Sequence, residues 1–132
     1  MNKAPIRTET VDGIIEYTLD GVPHRTDGPA LTFPDGSIAF FLFGNLHRQD
    51  GPAIISPDGG ESYFMGGIRH NPIGPAVILP EGGDVYYYLG YKADDKIIFE
   101  SEVWRTEIRA LYDGCASEED KFWKIITRNA RF

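Results

Sequence analysis

Three histidines recur at a fixed step. His24, His47 and His70 stand 23 residues apart, and the first two open the same run, His-Arg-x-Asp-Gly-Pro-Ala. Imidazole and carboxylate together can hold a divalent metal or act as an acid–base pair. His24 with Asp27, and His47 with Asp50, are therefore the residues that a small metal-dependent hydrolase or nuclease would use. The spacing argues against that chemistry. Zinc ligands lie about 2.0–2.3 Å from the metal, so the donors must converge. Repeats that each add two strands, at about 4.8 Å per strand, put equivalent histidines about 10 Å apart. Such histidines form a ladder, and neither a metal site nor a cofactor is expected.

Other catalytic patterns fail as well. His24-Arg25-Thr26-Asp27 resembles a kinase catalytic loop only superficially: no Asn follows five residues after the Asp, and no Gly-rich loop or Asp-Phe-Gly triplet is present. The single cysteine, Cys115, has Asp113, Glu118 and Glu119 beside it, and these carboxylates disfavour a thiolate. No Walker loop or dinucleotide fingerprint occurs. The sequence reads as a non-enzyme.

Arginine and aspartate change together along the ladder. Arg25 accompanies Asp27 and Arg48 accompanies Asp50, whereas the third unit, His70-Asn71-Pro72-Ile73, has neither. Losing both members of a pair leaves no uncompensated charge. The expectation is one ion-pair or hydrogen-bond network at Arg48 and Asp50, and a structural role for His24, Arg25, Asp27, His47, Arg48, Asp50 and His70.

The elements that hold these residues follow the same period. Gly28-Pro29-Ala30 returns as Gly51-Pro52-Ala53 and Gly74-Pro75-Ala76; Pro34-Asp35-Gly36 returns as Pro57-Asp58-Gly59 and Pro80-Glu81-Gly82; Gly21, Gly44, Gly67 and Gly90 keep the step. Asp-Gly is a hairpin dipeptide because Gly takes positive φ without a Cβ clash. The prolines remove a ladder donor and so mark strand starts or edges. Between them lie β-rich runs at 38–43, 53–55, 62–65, 77–79 and 85–89. From Asp94 the turn signals stop, and Ile97, Ser101, Trp104, Ile108 and Leu111 fall at helical spacing behind an Asp94 or Asp95 N-cap. Asp113-Gly114 breaks that helix, and Ser117 opens a second with Phe122, Ile125 and Ile126 on its apolar face. The fold expected is mainly β: an antiparallel β-hairpin repeat sheet at about 12–92, and an α-helical C-terminal cap at about 93–132 that brings Trp104 and Trp123 onto the sheet. Together they make one domain, 1–132.

Two aromatic rows run through the repeats. Tyr17, Phe40, Tyr63 and Tyr86 share one register, and Thr18, Phe41, Phe64 and Tyr87 the next. Neighbours along a strand face opposite ways, so each sheet face carries a row. One row is expected to be core. The other is covered by the tail or is a binding stripe, and Phe41, Phe64 and Tyr87 are favoured as the stripe because their row begins with a polar residue.

Composition sets the outer bounds. A net charge of −7 argues against direct nucleic-acid binding and against an anionic membrane surface. No run of 18 apolar residues occurs, so no membrane span is expected. The first nine residues lack the apolar stretch of a secretory signal, and one cysteine fits a reducing, cytoplasmic setting.

The units at 21–30 and 44–53 resemble the His-Arg-x-Asp-Gly-Pro-Ala repeat proteins of bacteria, bacteriophages and large DNA viruses, which are similar in style to MORN repeats. The resemblance covers about 12–92. It implies a β-hairpin repeat fold and an interaction role with no defined substrate. The function expected is binding of another protein, as a phage or bacterial inhibitor, antitoxin-like protein or host-defence antagonist that occludes its target. A small metal-dependent hydrolase or nuclease using the repeated His and Asp, an acidic nucleic-acid mimic, and a self-associating structural protein, including a homo-oligomer, stand as alternatives to it.

Overall fold

Every 23-residue unit uses two different turns, and together they fold it into two hairpins that share a strand. In the second unit Leu31–Thr32 turns through Pro34-Asp35-Gly36 into Ile38–Ala39. The chain runs on through Phe40 into Phe41–Leu42, turns again at Phe43-Gly44, and returns as Asn45–Leu46. The first turn is the one its Asp-Gly dipeptide specifies: Asp35 Oδ1 accepts from the Ser37 amide at 2.8 Å, and Gly36 sits at φ +95°. Asp58 repeats the bond to the Gly60 amide at 3.0 Å.

The computed structural model describes residues 3–111. It is mainly antiparallel β with a short helical segment at the C-terminal end of the described residues, as the sequence predicts. The first hairpins join into one meander, in the order Ile6–Glu9, Ile15–Leu19, Leu31–Thr32, Ile38–Ala39, Ile54–Ile55, Glu61–Ser62 and Val77–Ile78, with Val22–Pro23 paired beside Ile15–Leu19. The second hairpins make a parallel series alongside: Phe41–Leu42 with Asn45–Leu46, Phe64–Met65 with Ile68–Arg69, and Tyr86–Tyr88 with Tyr91–Ala93. An aromatic residue marks the crossing from one series to the other. The Phe40 amide donates to the Ala53 carbonyl at 2.7 Å, while its carbonyl accepts from the His47 amide at 3.0 Å. Tyr17 and Tyr63 make the same two bonds, with Ala30 and His24, and with Ala76 and His70.

The core differs from the one expected. Neither aromatic row is buried: Tyr17, Phe40, Tyr63 and Tyr86 are half-buried, and so are Phe41, Phe64 and Tyr87. Ala30, Ala53 and Ala76 are fully inaccessible, and His24, His47 and His70 are buried. Each unit fills its interior with a methyl group and an imidazole, and the rings are left to line the margins.

The tail begins as the sequence predicts and then departs from it. Asp95 caps α1 (Lys96–Glu100), its Oδ1 accepting from the Ile98 amide at 2.8 Å. One continuous helix through Ser101 does not form. Ser101 takes an extended conformation, closes α1 through its own amide, and caps α2 (Glu102–Ala110) by accepting from the Trp104 amide at 3.2 Å. A serine hydroxyl competes for backbone donors, which makes it a better cap than a helix interior residue. The break rotates the apolar face: Ile97 is 81% and Leu111 62% exposed, whereas Phe99 and Ile108 are buried with Tyr88, Leu89 and Ala93, and Trp104 packs at their edge. Asp113-Gly114, Cys115, the helix from Ser117 with Phe122, Ile125 and Ile126, and Trp123 lie outside the described residues.

Candidate interaction surfaces

The histidine ladder fastens each repeat to the next. In every unit the second hairpin turns on two successive residues of positive φ: Asp20-Gly21, Phe43-Gly44, Gly66-Gly67 and Leu89-Gly90. This is the type I′ pattern, whose twist matches antiparallel strands. A bulky residue there is costly, by about 1–2 kcal/mol. The preceding repeat holds the turn by both of its amides. The Phe43 amide donates to His24 Nδ1 at 2.9 Å and the Gly44 amide to the Pro23 carbonyl at 2.8 Å. The Gly66 and Gly67 amides donate to His47 Nδ1 (2.9 Å) and Leu46 O (2.8 Å), and those of Leu89 and Gly90 to His70 Nδ1 (2.6 Å) and Arg69 O (2.8 Å). An Nδ1 that accepts belongs to a neutral imidazole with its proton on Nε2. Burial accordingly pulls His24 and His47 below the ordinary imidazole pKa.

The rest of the repeated motif builds a loop on which arginine folds back. Arg25 Nε donates to Asp27 at 2.9 Å, its Nη1 to the Pro29 carbonyl at 3.2 Å, and its guanidinium lies 3.9 Å from the Tyr17 ring centre. Arg48 repeats the arrangement with Asp50 (3.3 Å), Pro52 O (3.2 Å) and Phe40 (4.1 Å). The glycine of the motif makes room: a Cβ at Gly28 would sit 2.9 Å from Arg25 Cζ. The expected Arg–Asp pairs therefore exist, but the Asp27 and Asp50 side chains are 82% and 87% exposed. Exposed pairs contribute little. A double-mutant cycle at Arg48→Ala and Asp50→Ala is expected to show coupling of about 0.2–1 kcal/mol, with Arg48→Ala the more costly single change because it also removes the stack on Phe40. Equal single costs would contradict this assignment.

The third unit substitutes rather than merely loses. Asn71 stands at the arginine position, donating from Nδ2 to the Pro75 carbonyl at 3.0 Å and accepting from the Ile73 amide at 3.3 Å. The loop keeps its shape, but Asn71 is too short to lie over Tyr63. Among the described residues no guanidinium or ring stacks on Tyr63. Burial pushes its phenol up, with the Glu61 carboxylate adding to the shift and Arg48 opposing it.

Two clefts lie between successive loops. The first, about 840 Å³, runs between loops 25–29 and 48–50 over Phe40 and Leu42. The second, about 430 Å³, runs between loops 48–51 and 70–73 over Tyr63 and Met65. At the next equivalent position the helical segment fills the space: Phe99 packs on Tyr86 at 4.8 Å, Arg105 lies 4.7 Å from the Tyr88 ring and 4.5 Å from Phe99, and its Nη2 donates to the Pro72 carbonyl at 2.9 Å.

Phe41, Phe64 and Tyr87 lie on the opposite side. Tyr86 and Tyr88 meet the helices, so Tyr87 between them points away. Arg69 stands over the row, 5.3 Å from the Phe64 ring and 5.6 Å from Tyr87. Spacing alone does not single out Tyr63, Asn71 and Ile73 as neighbours lining one cleft, or Phe99 and Arg105 as the groups that fill the next position. The joint departure of Asn71 and Ile73 from the repeat was the available signal. Among the described residues no helix is long and apolar enough to cross a membrane. No family model, curated protein or solved structure matches the chain.

Proposed function

We propose that this chain is a non-enzymatic repeat module that binds another protein through Phe41, Phe64 and Tyr87. The observation that carries the reading is the position of this row: three rings at equivalent places in successive hairpins, half-buried, on the face away from the helices. Stacked repeats place such residues in a line and hold them rigidly. Aromatic side chains then bury much area at low entropic cost. Engagement of every histidine Nδ1 in a turn bond supports a scaffold over a hydrolase. The resemblance of the His-Arg-x-Asp-Gly-Pro-Ala units to phage, bacterial and viral repeat proteins supports a cytoplasmic inhibitor or antitoxin-like role in which this row occludes a target.

The test is a comparison of Phe64→Ser/Tyr87→Ser with the unaltered chain. The double variant is expected to keep its thermal midpoint within a few degrees and to retain at least tenfold less of the partner captured from host lysate by the unaltered chain. Equal capture by both would refute the assignment. Unfolding of the variant would show the row to be structural and would refute it equally.

A further inference from the structure

The second cleft differs from its neighbours in its floor: among the described residues nothing covers the aromatic there. Arg25 lies on Tyr17, Arg48 on Phe40 and Phe99 on Tyr86, each within 5 Å of the ring centre, whereas nothing described stacks on Tyr63. The wall beside Tyr63 has also changed character. Ile73 occupies the place of Asp27 and Asp50 and is 93% exposed, next to Pro72 and Met65. Ile73, Pro72 and Met65 together give the rim beside that ring an apolar character that the loops with Asp27 and Asp50 lack. The opposite wall carries the exposed Asp50 carboxylate, paired with Arg48 at 3.3 Å, and Arg48 itself also lines the cleft.

The chain itself shows what such a cleft holds. One repeat further on, the helical segment seats Phe99 on Tyr86 and directs Arg105 to the Pro72 carbonyl. Stepping back 23 residues, Tyr63 stands for Tyr86 and the Gln49 carbonyl for that of Pro72. A guest with the same two groups would place a ring on Tyr63 between Met65 and Ile73, and an arginine at Gln49 with Asp50 beside it. Asp50 is the one carboxylate among the residues that line the cleft and its side chain is 87% exposed, so a guest guanidinium would share it with Arg48.

We propose that the cleft between loops 48–51 and 70–73 is a docking site for a partner-protein segment that presents an aromatic ring and an arginine on a short helical stretch, as residues 95–111 do in the neighbouring cleft. This site lies on the other face from Phe41, Phe64 and Tyr87 and stands or falls independently of that row.

The probe is a synthetic peptide of residues 95–111, with blocked ends, titrated into the full chain and followed by amide chemical shifts. Shifts are expected at Tyr63, Met65 and Ile73. Asn71→Arg/Ile73→Asp restores the Arg–Asp pair that the first two loops already carry, so the variant should fold while its own guanidinium covers Tyr63. It is expected to weaken peptide binding at least tenfold. Phe99→Ala or Arg105→Ala in the peptide should each weaken it similarly. No binding up to about 1 mM, equal binding by the restored variant, or shifts confined to Tyr86 or to the Phe41 row would overturn the proposal. Concentration-dependent dimerisation without peptide, abolished by the restored variant, would assign the cleft to a second copy and overturn it too.

Discussion

Replacing His47 by alanine is expected to cost about 2–4 kcal/mol of folding stability. The imidazole is buried, so its removal leaves a cavity. It also strips the Gly66 amide of its acceptor inside the turn that joins the second hairpin series. An unsatisfied buried donor alone accounts for about 1–3 kcal/mol. Acid should act through the same groups. His24 and His47 have lowered values in the folded chain, so the unfolded chain binds more protons below about pH 6.5. Their contribution is complete above that pH and is lost as pH falls from there through the folded-state values. Denaturant midpoints measured from pH 8 to pH 5 should fall on the acid side, and less steeply in His47→Ala. A His47→Ala midpoint equal to that of the unaltered chain would mean that the turn is held by something else.

Phe99→Ala is expected to cost about 3–5 kcal/mol and to release the helical segment from the last hairpin. Phe99 is 2% exposed and packs on Tyr86 among Tyr88 and Ala93. Its loss leaves Tyr86 and Tyr88 facing water and removes the surface on which Arg105 rests. Ile97→Ala, two residues away but 81% exposed, should change stability by less than about 0.5 kcal/mol. Thermal unfolding of the two variants checks the pair. Equal effects would return the helix to the face that Ile97 and Leu111 define in the sequence.

That contrast shows where the sequence was legible. The repeat and its Asp-Gly turns could be read directly, because an aspartate that accepts from a nearby amide and a glycine at positive φ form a purely local device. The I′ turns could not. Phe43 and Leu89 read as the ends of β-rich runs, and their left-handed turns are held from the preceding repeat, by a histidine 19 residues earlier and by the carbonyls of Pro23 and Arg69. Ser101 falls at a face position by its spacing, which does not separate a helix interior from a cap. The two aromatic rows are visible in the 23-residue register, but the buried positions they suggest are supplied by alanine and histidine. The cleft at Tyr63 was hidden for another reason. Asn71 preserves the loop by bonding Pro75, so the change at 71 and 73 is visible in the sequence but its effect on Tyr63, which no described residue covers, is not.

Each repeated histidine spends its Nδ1 on holding the turn of the next repeat. Long-range nitrogen–proton correlation spectra of the imidazoles at pH 7.5 test it most directly. The prediction is that His24, His47 and His70 are all neutral, protonated at Nε2, with an unprotonated Nδ1 that shows the shift of a hydrogen-bond acceptor. Protonation at Nδ1 in any of the three, or a titration of His24 or His47 above the ordinary imidazole value, would contradict it and restore these residues as candidates for chemistry.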